Sequence, residues 1–291
     1  MEKENKYIGW VRVIALIVPY FVTVGIFQLL GYLITGVDLY PSDSIKTAGQ
    51  QAIISFFGFL GTLLIIGIFT RFWDKEKFMN LGFHITNRFK EFLAGLSIGS
   101  LVMGTAYAFF LVLGQIRYLD LNFDSTQIIL SVIVFILVAV TEEVLIRGYV
   151  LKNLMVSFNK YVALIISSVL FSLIHGANPN VDWLGLINLF LAGILLGLSY
   201  IHTRNLWFPI SLHLSWNLFQ SLFGFNVSGQ DFYSLVNFEI VENSMLNGGD
   251  FGLEGSVFCF LAQLVLITGI AWYYRNESAE KAFLKDTLLV E

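Results

Sequence analysis

Long apolar runs alternate with short polar segments along the whole chain of 291 residues. The runs fall at about 10–34, 48–70, 91–114, 126–151, 161–176, 184–201, 207–225 and 255–274. Most approach the roughly 20 residues that an α-helix needs to cross a bilayer. Backbone groups in lipid must be satisfied within each segment, and the period-2 alternation of a membrane β-barrel does not occur. The pattern therefore predicts an all-α fold, a polytopic membrane helix bundle of about eight transmembrane helices.

The composition agrees with this interpretation. Hydrophobic residues make up 56% of the chain and charged residues 13%, whereas soluble domains carry roughly a quarter charged residues. We interpret residues 1–291 as a single integral membrane domain surrounded by the lipid bilayer. The net charge of −4 gives no reason to expect a nucleic-acid partner. The single cysteine, Cys259, excludes an internal disulfide and a cysteine-based metal cluster.

Basic residues are divided unevenly between the two ends of the predicted helices. With both termini inside, fifteen of the seventeen Lys and Arg lie on the inner side, and only Lys46 and Arg117 lie outside. The fifteen are Lys3, Lys6, Arg12, Arg71, Lys75, Lys77, Arg88, Lys90, Arg147, Lys152, Lys160, Arg204, Arg275, Lys281 and Lys285. The long outer loop, residues 226–254, contains no basic residue. The positive-inside rule therefore predicts an N-in and C-in protein, compatible with a bacterial plasma membrane.

Two carboxylates and a guanidinium interrupt the fourth apolar run, within Thr141-Glu142-Glu143-Val144-Leu145-Ile146-Arg147. An ionisable group inside a membrane helix costs at least a few kcal/mol, so its default interpretation is functional. Glu143 and Arg147 are four residues apart and share a helix face, which predicts a structural ion pair. Glu142 is rotated by about 100° from Glu143. It is therefore expected to point into a cavity.

Spacing along the chain predicts partners for Glu142. The turn between the fourth and fifth helices is expected at 157–160, about 16 residues from both Glu142 and His175. Residues equidistant from the turn of an antiparallel hairpin lie at one level, so these two side chains are predicted to face one another. His213 and Asn217 share a face of the seventh helix. Helix lengths predict that the site lies in the inner half of the bilayer.

These residue types suit hydrolysis of a peptide bond. A carboxylate near an imidazole can take a proton from water and pass it to a leaving amine. An Asn amide beside a His N–H can stabilise an oxyanion. We favour a reaction without a cofactor. The alternative is a zinc site formed by Glu142, His175 and His213 with water in the fourth position, although no His-Glu-x-x-His motif is present.

Two other classes of function fit an ionisable cluster inside a membrane. One is a proton-coupled membrane transporter, because Glu, Arg and His chains also relay protons. The other is a non-catalytic membrane scaffold or immunity protein that binds a partner through the outer loop. No pattern in the sequence indicates the oligomeric state.

Three motifs in order resemble the signature of the CPBP family. This family contains CAAX proteases and bacteriocin-processing or self-immunity proteins (Abi proteins), and type II CAAX prenyl endopeptidases belong to it. The motifs are Glu142-Glu143-x-x-x-Arg147, Phe171-x-x-x-His175 and His213-x-x-x-Asn217, supported by Asn188-x-x-x-x-Gly193-x-x-x-Gly197 and Leu206-Trp207-Phe208-Pro209-Ile210. We interpret the two glycines as close internal packing. The resemblance covers about residues 80–225, a CPBP-like catalytic core.

The resemblance implies an intramembrane endopeptidase with its cavity between the motif helices. Glu142 and His175 would activate water, His213 and Asn217 would form the oxyanion hole, and the ion pair would hold the site together. The substrate would be a membrane-associated peptide or protein. Family members are often labelled metalloproteases, whereas the prenyl endopeptidase branch resembles a metal-free glutamate protease. The resemblance does not imply that the substrate is prenylated.

Overall fold

The computed structural model of the protein describes residues 8–37 and 46–288, with side chains of the last helix up to residue 276. Its helices are α1 (Ile8–Thr35), α2 (Ala48–Ile68), α3 (Phe89–Val112), α4 (Ser125–Glu143), α5 (Lys152–Ser157), α6 (Lys160–Ile174), α7 (Trp183–Thr203), α8 (Trp207–Leu222) and α9 (Val257–Leu288). All eight predicted apolar runs are helical. The predicted all-α membrane bundle is therefore confirmed.

Two helices change their winding before they end. A π-helix, Val144–Leu151, joins α4 to α5 and makes one continuous rod, and a shorter π-helix, Phe69–Trp73, extends α2. Within the described part of the chain, six helices are long and apolar enough to cross a membrane: α1, α2, α3, the α4–α5 rod, α7 and α9. With 15 and 16 residues, α6 and α8 are shorter. The count of about eight spans is thus approximate.

Helix α8 is polar for a membrane helix because other helices surround it. It packs against α3, α4 and α7. Its contact with α3 depends on two glycines: a Cβ added to Gly95 or Gly99 would lie 2.1 Å from Ser211 Oγ or Ser215 Oγ, respectively. Small residues let membrane helices approach closely. This close approach fixes the helix that carries His213.

Glycines also bring α6 and α7 together. A Cβ added to Gly193 would lie 2.7 Å from Ser168 Cα, and one added to Gly197 would lie 2.5 Å from Leu164 Cδ1. Both glycines thus pack inside the bundle, as the sequence predicts. The helix that ends at His175 is held through this contact.

We expect Gly193→Val to reduce the free energy of unfolding by about 1–3 kcal/mol, because extra methyl groups in a packed core force the backbones apart. Thermal unfolding of the detergent-purified protein measures the effect. Gly269→Val on α9 is the matched control, since an added Cβ there meets no atom within 4 Å. Equal melting temperatures for the two variants would contradict the expected role of Gly193.

Two short strands add a feature that the apolar pattern does not predict. Strand β1 (Ile116–Leu121) pairs antiparallel with β2 (Val236–Ile240). Both strands lie outside the apolar runs, and their pairing joins segments that are distant along the chain. It fastens the outer loop to the α3–α4 connection. The outer loop is therefore a folded part of the bundle end.

Two basic residues used for the predicted orientation are buried. Arg12 is 6% exposed and its Nε lies 3.1 Å from Asp74 Oδ1, and Arg147 is 1% exposed. Both cations are thus held inside the bundle by buried carboxylates, Asp74 and Glu143. Lys3 and Lys6 lie outside the described residues, as do the side chains of Lys281 and Lys285. The N-in and C-in orientation stays a prediction.

Candidate active site

The candidate site begins where the fourth rod changes from α to π winding. Glu142 and Glu143 are the last α-helical residues, and the π-helix starts at Val144. Every residue of the π-helix is buried. In a π-helix each N–H bonds to the carbonyl five residues earlier, and such turns are frequent at functional sites. The apolar run predicts an uninterrupted α-helix here. Because every residue of the π-helix is buried, the hydrophobic pattern does not show where the helical period changes.

Arg147 ties three helical elements together. Its Nη1 donates a hydrogen bond to Glu143 Oε1 at 2.8 Å, with both side chains buried, so the predicted pair is present. Its Nη2 donates to the backbone oxygens of Ala192 and Gly193 on α7, at 3.4 and 3.2 Å. Its guanidinium carbon lies 4.6 Å from the ring centroid of Phe171 on α6, a cation–π contact. Arg147 thus holds α4, α6 and α7 together around the site.

Glu143 also holds His213, which sequence spacing does not predict. His213 Nδ1 lies 2.8 Å from the same Glu143 Oε1 that bonds to Arg147. An ionised carboxylate only accepts hydrogen bonds, so the proton resides on Nδ1. The Nε2 atom of the ring takes no part in this bond and is available to other groups. The two residues are 70 positions apart. Periodicity within one helix carries no information on such a contact.

His175 is oriented in a comparable way. It caps the C-terminal end of α6, and its Nδ1 lies 2.8 Å from the backbone oxygen of Phe171. A carbonyl oxygen only accepts, so Nδ1 donates here too. Its Nε2 lies 3.6 Å from Glu142 Oε2, and His213 Nε2 lies 3.9 Å from the same oxygen. The predicted juxtaposition of Glu142 with His175 is present.

The Nε2 atoms of both histidines therefore converge at Glu142. In their neutral tautomers, both imidazoles present an Nε2 lone pair towards the carboxylate oxygen. Glu142 Oε2 is buried and has no hydrogen-bond partner within the described residues. Separations of 3.6–3.9 Å are too long for direct hydrogen bonds, so these groups do not satisfy one another. The cluster can accept protons from a water molecule.

The converging groups line one cavity of about 570 Å³. All four residues predicted to be catalytic contribute to its wall, with Asn217 one helical turn beyond His213 on α8. The rest of the wall comes from α1, α2, α4, α6, α7, α8, α9 and the outer loop. The volume lies within the range of small-ligand and cofactor pockets. The cavity can hold a short peptide segment beside the proton acceptors.

The zinc site formed by Glu142, His175 and His213 stays a prediction. Zinc-bound imidazoles commonly donate their other N–H to a carbonyl or a carboxylate, and both histidines here do so. Glu142 Oε2 lies 3.6 and 3.9 Å from the two Nε2 atoms. These separations exceed by a few tenths of an ångström the roughly 3.4 Å between ligands of a tetrahedral zinc.

Glu254 is a residue of the cavity that the sequence pattern does not reveal. Its Oε2 accepts hydrogen bonds from the Ser228 N–H at 2.5 Å and from Ser228 Oγ at 2.8 Å. Its backbone oxygen accepts from Asn188 Nδ2 at 2.8 Å, so Asn188 anchors the outer loop. Burial raises the pKa of the Glu254 carboxyl, and the hydrogen bonds from Ser228 oppose that shift. The outer loop has no helical period, so no spacing rule could place Glu254.

We expect Glu254→Ala to loosen the outer loop and to reduce stability by about 1–3 kcal/mol, because the Ser228 N–H loses its acceptor. Thermal unfolding and proteolysis within residues 226–254 measure this. Glu239→Ala is the control, since the Glu239 side chain is 47% exposed and pairs only at the surface with Arg117. Equal protease resistance of the two variants would argue against this anchoring role.

The site lies at different depths along the helices that form it. His175 follows the last residue of α6, at the end of the bundle that carries the outer loop, and Ser228 and Glu254 of that loop line the cavity. His213 is six residues from Trp207, the first residue of α8, at the opposite end. The location in the inner half of the bilayer stays a prediction.

A comparison with known protein families finds a match to the segment that carries the site residues. Residues 124–219 match a family model described as Type II CAAX prenyl endopeptidase Rce1-like. No curated protein matches the chain. The matched segment is about a third of the chain, and it contains Glu142, Glu143, Arg147, His175, His213 and Asn217. The resemblance to the CPBP family is thus confirmed over the segment that builds the site, which matches the Rce1-like CAAX endopeptidase branch.

Proposed function

We propose that this integral membrane protein is an intramembrane endopeptidase of the CAAX type. It would hydrolyse a peptide bond of a membrane-associated peptide or protein, in bacteriocin or peptide processing or in self-immunity. The observation that carries the proposal is the convergence of Glu142 with the Nε2 atoms of His175 and His213 at one cavity wall. The family match over residues 124–219 supports the reaction class.

The proposed reaction starts with a water molecule between Glu142 and His175. Glu142 accepts a proton from the water, and the water oxygen forms a bond to the peptide carbonyl carbon. The carbonyl oxygen becomes an oxyanion, to which the Asn217 amide donates. The C–N bond then breaks, and the proton held by Glu142 passes through His175 to the leaving amine. Water is consumed, and one acid and one amine are formed.

His213 has a second proposed part in this sequence. Its Nδ1–H is bonded to Glu143, so Nε2 can donate to the oxyanion only when the ring is an imidazolium. The Glu143 carboxylate at 2.8 Å stabilises that cation. The proposed division of roles therefore makes Glu143 a positioning residue for His213 as well as the partner of Arg147.

A search for the uncut substrate tests the proposal. Membrane peptides and proteins are compared between cells that carry the parent protein and cells that carry Glu142→Gln, and each candidate is then incubated with the purified parent. We expect a species that accumulates uncut in the variant and is cleaved in vitro. No accumulating species, together with pH-dependent proton flux in liposomes, would favour the proton-coupled transporter. Biological activity retained in Glu142→Gln would favour a scaffold or immunity protein.

Metal dependence is tested separately. We expect cleavage by the purified protein to continue after dialysis against a chelator, with no stoichiometric zinc by elemental analysis. Zinc that is lost in step with activity, and that restores activity when returned, would contradict a cofactor-free reaction. It would assign Glu142, His175 and His213 as ligands.

A further inference from the structure

Glu254 is a buried carboxylate that the proposed reaction does not use. It is 8% exposed, and it lines the same cavity as Glu142, His175 and His213. Its Oε2 accepts hydrogen bonds from both the N–H and the hydroxyl of Ser228. The proposed reaction needs one carboxylate beside the water molecule, and Glu142 supplies it. The second carboxylate of the cavity wall therefore needs a separate explanation.

The backbone around Glu254 is tightly constrained. Ser228 has a left-handed conformation with a φ of 48°, which residues other than glycine rarely adopt. Gly229 follows with a φ of 79°, and a Cβ added there would lie 1.9 Å from Pro179 O. Asn188 on α7 holds the backbone oxygen of Glu254 itself. Strained backbone persists only where its surroundings fix it, and it clusters at functional sites. The carboxylate is thus held in one place at the cavity wall.

This carboxylate has no basic partner in the part of the chain that the structure describes, since no Lys or Arg pairs with Glu254. Of the described residues that line the cavity, Lys46 is the only Lys or Arg, and its Nζ lies 5.5 Å from the ring centroid of Tyr32. Burial raises the pKa of the Glu254 carboxyl, and its hydrogen bonds and the charges of His175 and His213 oppose that shift. Buried charges are normally paired. A cation brought into the cavity would therefore stabilise the ionised carboxylate.

We propose that Glu254 is a specificity-determining residue, which binds the cationic side chain of a lysine or arginine in the substrate. The inference rests on the proposed endopeptidase function and names its substrate class, peptides with a basic residue close to the scissile bond. Glu254 and Glu142 line one cavity of about 570 Å³, so a single short peptide can contact both. Hydrogen bonds between ionised groups are roughly twice as strong as neutral ones. An uncharged side chain at this position would leave the carboxylate unpaired.

Two probe peptides that differ by one charge test this inference without any cleavage. The lysine probe is a blocked pentapeptide of four leucines around a central lysine, and the neutral probe has norleucine in place of the lysine. Binding to the purified full chain is measured by calorimetry in Glu142→Gln, which should not cleave the probes. We expect Glu142→Gln to prefer the lysine probe at least about tenfold more strongly than Glu142→Gln/Glu254→Gln does. The partition of each probe into detergent is the same for both proteins, so it cancels from this comparison.

Matched variants separate the charge of Glu254 from its anchoring role. Ser228→Ala removes the hydroxyl bond but keeps the carboxylate, and Glu239→Gln removes a charge elsewhere in the outer loop, so both should keep the preference for the lysine probe. A glutamate probe should bind Glu142→Gln more weakly than the neutral probe, a comparison that does not depend on the folding of Glu254→Gln. An unchanged preference in Glu254→Gln, an equal loss in Ser228→Ala, or no binding of the lysine probe to Glu142→Gln would overturn the inference.

Binding and cleavage distinguish two kinds of failure. A preference for the lysine probe that depends on Glu254, in a protein that cleaves nothing, would reject the endopeptidase and keep the cation site. Cleavage that depends on Glu142, in a protein whose choice of probe is insensitive to Glu254→Gln, would keep the endopeptidase and reject the cation site.

Discussion

Replacing Glu142 with glutamine should lower the rate of peptide-bond cleavage by about 10³-fold while leaving thermal unfolding unchanged, because general base catalysis contributes about 10²–10⁴-fold. Glutamine keeps the shape of the side chain but cannot take a proton from water. The Glu142 side chain is 24% exposed, and its Oε2 has no hydrogen-bond partner within the described residues. Its packing role is therefore small. Cleavage kinetics and melting temperature of the purified variant measure the two effects.

The control for this prediction is Glu91→Gln. Glu91 pairs with Arg88 at a partly exposed position far along the chain from the motifs, and its replacement should change neither measurement. His175→Asn should resemble Glu142→Gln, because the proton then has no path to the leaving amine. If both Glu142→Gln and His175→Asn cleave at the parental rate, the proposed mechanism is wrong.

Arg147→Met should reduce the free energy of unfolding by about 3–5 kcal/mol, the cost of leaving one partner of a buried ion pair uncompensated. Glu143 and Arg147 are both at most 1% exposed, so water cannot replace the lost guanidinium. The bonds to α7 and the contact with Phe171 disappear as well. We also expect cleavage to be lost, because the walls that position the site relax. Chemical or thermal unfolding in detergent and a cleavage assay measure the two losses.

Two further variants keep this prediction testable if Arg147→Met fails to fold. Glu143→Gln/Arg147→Met removes both buried charges, so most of the stability should return. Cleavage should stay low, because the glutamine amide carries no charge that could stabilise the His213 imidazolium. Arg88→Met is the surface control, with an expected change within about 0.5 kcal/mol. Parental stability of Arg147→Met alone would show that the buried pair has no structural role.

The helices and two contacts of the site follow from the sequence for simple physical reasons. Backbone N–H and C=O groups in lipid must form hydrogen bonds within their own segment, so each long apolar run becomes a helix. The ends of a hairpin are equidistant from its turn, so Glu142 meets His175. Glu143 and Arg147 pair because positions four apart share a face. These features depend on local rules that act within one or two helices.

Other features depend on how distant elements meet, and local rules do not reach them. The bond between His213 and Glu143 requires α8 to lie beside α4, which the glycines of α3 help to fix. The contact of Glu254 with Ser228 lies inside an irregular loop. The position of His175 at the outer-loop end of α6 follows from the short length of that helix, whose last residue is Ile174. Such positions are set by tertiary packing, which the apolar pattern does not encode.

The pairing of β1 with β2 has a consequence for the smallest part of the chain that can work as a unit. The segment that matches the protease family, 124–219, ends before the outer loop, yet that loop supplies Ser228 and Glu254 to the cavity and is fastened to the chain ahead of α4. Helices α1 and α2 supply another wall. The residues predicted to be catalytic thus lie in a third of the protein, whereas the walls of their cavity also come from the chain on both sides of that segment.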